Sequence, residues 1–425
     1  MYEKIITMLA NLTVSVFLGR HLGPELFGEF SYIIAIGVIV SPLAALGLNA
    51  IVTRELINSP HDTSKVMSTA LFLRMIGALG GSVFCATLVL ADIGISSREG
   101  LYALLFVAFG NLFTSFTVIE FWFQSKVKAK IVAKMRSMII IMFSSLKLGV
   151  LYFTRDISLI AFVFALETVF IGVGFFYIAK KESINISLGF VNFEYGKSLL
   201  KQSIWLFFSS LAAIVYLKID QIMLANMVGL SEVGVYSVAS RISEVWYFFS
   251  NALVISIFPS LLLLKNNGNK EKYTNRIQGT SDLLCYSAVV LVIVMLFSSE
   301  YIIDLLYGVE YKESYIILNI HIFASIFVFM RSLVSKWIIA EGLLKYSLLS
   351  QGVGAIMNIL ANIVLIPEYG GVGAAIATLI SYIGASYLVF CFSSKTRPIF
   401  WVMSRSLFLP LRLVRLISLK FKFTK

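Results

Sequence analysis

A chain of 425 residues would ordinarily make two or three soluble domains, but 59% hydrophobic residues, 14% charged residues and a mean hydropathy of +0.89 exclude a soluble globular protein. At roughly 20 apolar residues per membrane-crossing helix it has room for about twelve crossings with short connections, and none for a large extramembrane domain. The formal charge of +12 would point to nucleic acid in a soluble protein; here its placement matters more than its sum.

In chain order, apolar runs fall at 4–19, 27–51, 66–91, 101–123, 132–153 and 157–179, then at 199–219, 233–263, 282–306, 314–339, 347–366 and 371–393. The expected fold is an all-α polytopic membrane protein of about twelve helices in two six-helix parallel repeats, 1–195 and 196–394, followed by a basic amphipathic tail at 395–425. Asn11 and the lack of a small-residue cleavage site make 4–19 a span, not a removable signal. Cys85, Cys285 and Cys391 all lie in apolar runs, which gives neither a metal-ligand cluster nor a disulfide framework.

With connections assigned alternately to two sides, 25 of the 35 Lys and Arg fall on the side that holds both termini. Arg20, Arg98, Arg155, Lys218 and Lys312 fall on the other, so the positive-inside rule predicts cytoplasmic termini. Gly23, Gly28, Phe30 and Ser31 recur 206 residues later as Gly229, Gly234, Tyr236 and Ser237. Both sets follow the first span of a six-span half. Six is an even number, so the halves share an orientation, the arrangement expected of an alternating-access transporter.

Five cations lie inside the spans: Arg74, Lys147, Arg241, Arg331 and Lys336. Charges at that depth face a partner, the bundle interior or a watery cavity. Glu120 and Lys336 are near enough to a membrane face to act as interfacial anchors, and Lys218 with Asp220 reads as an interfacial ion pair. Arg241 and Glu244 lie three residues apart on one helical face near mid-membrane. They form either a self-neutralising pair or a cationic site for a diphosphate, whose oxygens suit the guanidinium fork. Arg74, Arg331 and the more ambiguous Lys147 are further candidate substrate contacts.

Glu167 has no opposite charge within a turn, so it is expected either to exchange a proton during transport or to hydrogen-bond a neighbouring helix. Glu244 is the alternative coupling residue. Gln351, Asn358 and Asn362 share a helical face, as do Asn111, Thr114 and Ser115; such amides line a sugar-facing cavity or bond helix to helix. Eight basic residues and no acid follow Phe392, interleaved with Trp401, Phe408 and Leu416, which predicts a helix on an anionic membrane surface. The sequence has no Gly-rich phosphate loop, so no nucleotide or other cofactor is expected.

Three motifs in order carry a family resemblance. The first is Leu22, Gly23, Pro24, Glu25, Phe27 and Gly28, with Gly47, Leu48, Arg54, Glu55 and Leu56 after it. The second runs from Asp220 to Leu224, then through Val233, Gly234, Tyr236, Ala239, Arg241, Ile242 and Glu244 to Pro259. The third is Pro367, Tyr369, Gly370, Gly371, Gly373, Ala374 and Ala375. Together they resemble the Wzx-like polysaccharide repeat-unit flippases of the multidrug/oligosaccharidyl-lipid/polysaccharide exporter superfamily, nearly end to end. The resemblance implies a bacterial plasma-membrane carrier that moves an undecaprenyl-diphosphate-linked oligosaccharide from the cytoplasmic to the outer leaflet. It also implies membrane lipids, a polymerase and a chain-length regulator as partners. A cation-coupled drug exporter shares the fold but wants a cavity poor in fixed positive charge. A membrane-embedded polymerase needs larger outer loops than the dozen or so residues present here.

Overall fold

The computed structural model describes residues 2–90 and 97–408, and these residues are helical with no strand among them. Ten stretches are long and apolar enough to cross a membrane. Two of them, Tyr2–Asn58 and Leu344–Cys391, contain a glycine of positive φ near the middle, Gly23 (φ 75°) and Gly370 (φ 53°), and each crosses twice. Twelve crossings result.

The first half runs through α1 (Tyr2–Ala45), α2 (Asn49–Asn58), α3 (Thr63–Leu90), α4 (Arg98–Phe113), α5 (Val118–Ser125), α6 (Ala129–Phe153) and α7 (Ile157–Lys181). The second comprises α8 (Phe193–Met227), α9 (Leu230–Val245), α10 (Tyr247–Asn266), α11 (Lys270–Tyr307), α12 (Ser314–His321), α13 (Ala324–Ala340) and α14 (Leu344–Ser386). A boundary at 195/196 falls just inside α8. The short α15 (Arg397–Leu407) docks its Ile399, Val402 and Met403 face against α11, where Gln278 Nε2 donates to the Val402 carbonyl at 3.1 Å and Ser406 Oγ to Asp282 Oδ1 at 2.7 Å. The tail residues 409–425, with most of its basic charge, lie outside the described residues.

The recurring glycines explain how the halves meet. Gly23 (φ 75°) and Gly229 (φ 138°) take backbone conformations that disfavour any side chain, and each turns the chain between two crossings. One turn further on, a Cβ on Gly28 would stand 1.7 Å from the Leu230 carbonyl oxygen, and a Cβ on Gly234 would stand 2.0 Å from that of Pro24. Those four positions exchange under the 206-residue offset. The two motifs therefore pack backbone to backbone on each other, at the Lys- and Arg-poor end of the molecule. Phe27, fully buried there, is wedged against Tyr307 and Tyr311, whose hydroxyl donates to the Gly19 carbonyl at 2.9 Å. This end is sealed.

At the basic end the described residues of the two halves meet along the start of α8. The start of α8 meets the end of α1, where a Cβ on Gly47 would lie 2.5 Å from the Phe207 nitrogen. α10 instead packs on α9, α11 and α13, all in the second half.

Candidate functional site

Between the halves lies a cavity of about 560 Å³. Its walls come from α1 on both sides of Gly23 (Asn11, Ser15, Phe30, Ser31), from α6 and α7 (Lys147, Phe164, Glu167, Thr168), and from α8 and α9 (Lys218, Gln221, Arg241, Glu244). The membrane interior thus holds a polar chamber carrying three cations and two carboxylates.

Arg241 stands at the sealed end of the chamber, about 16 Å along α9 at 1.5 Å per residue. Its Nη1 donates to Ser15 Oγ at 2.8 Å and its Nη2 to Ser31 Oγ at 3.3 Å, both across the divide between the halves. Ser15 is also 3.1 Å from the Tyr307 hydroxyl, and the guanidinium lies 5.0 Å over the Phe27 ring. Its partners here are hydroxyls and a ring face, all neutral. The expected pairing with Glu244 is not formed. Glu244 faces Lys218, whose Nζ is 3.3 Å from each carboxylate oxygen. Two residues three apart share a helical face, but either can still find a nearer partner on another helix.

Glu167 is likewise not alone. Lys147, one helix earlier, forms a salt bridge to its Oε2 and also sits 3.6 Å from the centre of the Phe164 ring. Lys147 is only 3% exposed, so this pair is enclosed, whereas Lys218 and Glu244 remain partly open to the chamber. Scanning for partners within a turn overlooked the bridge because it spans two helices.

Other expected contacts are turned away from the chamber. Arg74 donates to the Ala44 and Thr114 carbonyls, to Asn49 Oδ1 and to Thr117 Oγ1. It satisfies backbone oxygens at the end of α1 and at the 3₁₀ turn Thr114–Thr117, where helical bonding is interrupted. Glu120 is bound by Arg136, which also reaches Glu3, so the three side chains tie α5, α6 and the start of α1 together. Arg331 is buried within the second half and does not line the chamber.

Asn358 and Asn362 face a centre that sequence reasoning missed. Asp220 is buried, not interfacial. Its Oδ2 accepts from the Tyr236 hydroxyl at 2.7 Å and from Thr378 Oγ1 at 2.6 Å, and its Oδ1 accepts from Asn362 Nδ2 at 2.6 Å. Asn358 Nδ2 and Asn362 Oδ1 have no partner among the described residues. The helix continues seven residues past Asp220, to Met227, because these donors replace the water that the polar run Lys218–Asp220 would otherwise need. An acidic residue inside a helix-forming run, next to a Gly-led turn that repeats elsewhere, was the available signal. The three donors stand in for water around the buried carboxylate.

Comparison with known proteins agrees with this architecture. Residues 1–264 match the family model described as polysaccharide biosynthesis protein. The capsular polysaccharide biosynthesis protein CapF of Staphylococcus aureus is 22% identical over 381 residues, covering 89% of this chain and 93% of its own. The probable low-salt glycan biosynthesis flippase Agl15 of Haloferax volcanii is 25% identical over 202 residues, 47% of this chain and 42% of its own. Among solved structures, the inward-facing conformation of a multidrug resistance MATE family transporter of the MOP superfamily superposes with a TM-score of 0.73 at 15% identity, covering 94% of each chain. The inward closed conformation of lipid II flippase MurJ superposes with a TM-score of 0.70 at 19% identity, over 98% of this chain and 92% of that one.

Proposed function

Because this chain belongs to the polysaccharide biosynthesis protein family, we propose that it carries a lipid-linked oligosaccharide across the membrane, holding the substrate's diphosphate at Arg241 in the central chamber. The observation that carries the reading is the pairing pattern. Lys147 and Lys218 each bind a carboxylate, while the hydrogen-bond partners of Arg241 are neutral hydroxyls, so the chamber lining sets three cations against two carboxylates. A guanidinium holding two serine hydroxyls can exchange them for two phosphate oxygens, which form stronger, charge-assisted bonds. A cationic drug would meet the wrong sign at the same place.

The proposal includes an undecaprenyl carrier, the bacterial plasma membrane as location and a direction from cytoplasmic to outer leaflet; the family resemblance and the positive-inside pattern support these. Transport, not chemistry, is the expected activity, with a polymerase and chain-length regulator acting downstream. Lys147 gives the anion a second cation once Glu167 releases it. Glu167, Glu244 and the Asp220 centre are the acids through which an ion gradient would act. The alternation consists of parting the Gly28–Gly234 crossing while the basic end closes.

The test is complementation of a strain lacking the gene and making a surface polysaccharide. Arg241→Ala should insert normally and abolish surface glycan, with lipid-linked repeat units accumulating inside; Arg241→Lys, which keeps charge but loses the fork, should retain part of the activity. Normal glycan in Arg241→Ala would remove Arg241 from the binding site.

A further inference from the structure

A second cavity, of about 400 Å³, lies at the basic end of the second half, between the start of α11, the end of α13 and the short helix α15. It shares no lining residue with the central chamber. Its walls are mainly apolar, built from Ile277, Trp337, Leu343, Ile399 and Val402. It sits where the apolar run of α13 ends at 339 and just before that of α11 begins at 282, the level at which headgroups meet acyl chains. α15, which forms one wall, turns Trp401 and Phe408 outward, each more than half exposed, as aromatic anchors at a membrane face are.

Two charged side chains, Glu341 and Lys395, complete the lining. Glu341 is engaged at both oxygens: the Tyr273 hydroxyl donates to Oε1 at 2.8 Å, and Lys265 Nζ is 2.9 Å from Oε2. Lys395 is exposed, and no ion pair among the described residues includes it. The cavity therefore sets one unpaired cation beside an apolar slot. That combination suits an amphiphile with a negative head and a hydrocarbon tail, which would take the apolar walls out of contact with water. Residues 409–425 of this chain are a poor match, because Arg412, Arg415, Lys420, Lys422 and Lys425, with no acid among them, would bring like charge to Lys395.

We propose that this cavity binds one anionic glycerophospholipid from the leaflet at the basic end, with an acyl chain among Ile277, Trp337 and Val402 and the phosphate at Lys395. The lipid ties α15 to α11 and α13, so the short helix is held at the membrane face by a lipid as well as by its own contacts.

The experiment places a photoactivatable benzophenone amino acid at the exposed lining position Thr274 of the full chain, in nanodiscs of equimolar phosphatidylglycerol and phosphatidylcholine. Mass spectrometry then identifies what the probe has captured. Phosphatidylglycerol adducts should exceed phosphatidylcholine adducts several-fold, and Lys395→Glu should bring the two to about equal. Leu343→Trp, which fills the slot, should lower lipid capture several-fold; Pro398→Trp fills it from the exposed side should the first variant fold poorly. Arg241→Ala should leave the pattern unchanged, which separates this site from the substrate chamber. Capture of a peptide from 409–425 or of a second copy of the chain would overturn the proposal. So would a phosphatidylglycerol preference that survives Lys395→Glu, or lipid capture that neither tryptophan variant reduces.

Discussion

The two halves share a six-crossing plan but differ in how they handle buried charge. In the first half every deep cation is matched: Arg74 by carbonyl and hydroxyl oxygens at helix breaks, Lys147 by Glu167. In the second, Arg241 is held by neutral serines and Arg331 by a ring, while Asp220 is a buried acid without a cation. Uncompensated charge in a membrane is costly, and residues that carry it there are the ones poised to take a ligand. The first half thus satisfies its deep cations with more bonds, four of them at Arg74, and the second carries the open valences.

The largest effect should come from the surface on which the halves are equal. Gly28→Val or Gly234→Val would drive a side chain into the opposite backbone, where neither carbonyl can move without unwinding a helix turn. Glycan export should fall to background in both. A cysteine at Pro24 or Leu230 should become reactive to a membrane-impermeant thiol reagent in the variants and not in the parent. Full activity in either variant would mean that the sealed end does not need this crossing.

Next in size is the contrast between the two lysine–carboxylate pairs. Lys147→Met leaves Glu167 enclosed and unpaired, which typically costs about 3–5 kcal/mol, and the protein should be poorly expressed. Adding Glu167→Gln should recover most of that loss. Lys218→Met should cost about 1 kcal/mol or less, because Glu244 keeps access to the polar chamber. Detergent melting curves measure both. Similar losses for the two lysines would erase the distinction between an enclosed pair and a partly open one. Glu167→Gln and Asp220→Asn then separate the coupling candidates: the one whose gradient-driven transport fails at normal expression is the acid that exchanges the ion.

Much of the architecture could be read from residues. Apolar runs gave twelve crossings, and the spacing of Gly23, Gly28, Gly229 and Gly234 identified the duplicated turn, because glycine is required where φ is positive or where two backbones meet. The partners of the buried charges were not legible. Arg241 and Glu244 face the same way on one helix, yet the distances that matter run to Ser15, Ser31 and Lys218 on other helices. Hydropathy also misjudged Lys218 and Asp220. A window average treats a polar run as a helix end, whereas internal donors to Asp220 let the helix continue. Helix periodicity says which way a side chain points, and only the packing of helices says what it meets.

The smallest predicted effect concerns Ser15 and runs against the usual direction of an alanine substitution. Ser15 Oγ accepts from Arg241 and lies beside the Tyr307 hydroxyl, so it joins the first half to the cation that is proposed to bind the diphosphate. A phosphate can take Arg241 only by displacing that serine. A hydrogen bond to a charged group contributes about 1.5–3 kcal/mol, part of which Ser31 recovers when Ser15 is gone. Ser15→Ala should therefore tighten binding of a lipid diphosphate by roughly tenfold, the equivalent of about 1.4 kcal/mol, while the same change at Thr168, which lines the chamber away from Arg241 and bonds its own helix at Phe164, should leave the affinity unchanged. Titrating a fluorescent undecaprenyl-diphosphate analogue against the purified variants measures this directly. Weaker binding in Ser15→Ala would assign Ser15 to the substrate contacts, and the serines would then be ligands instead of placeholders for the phosphate.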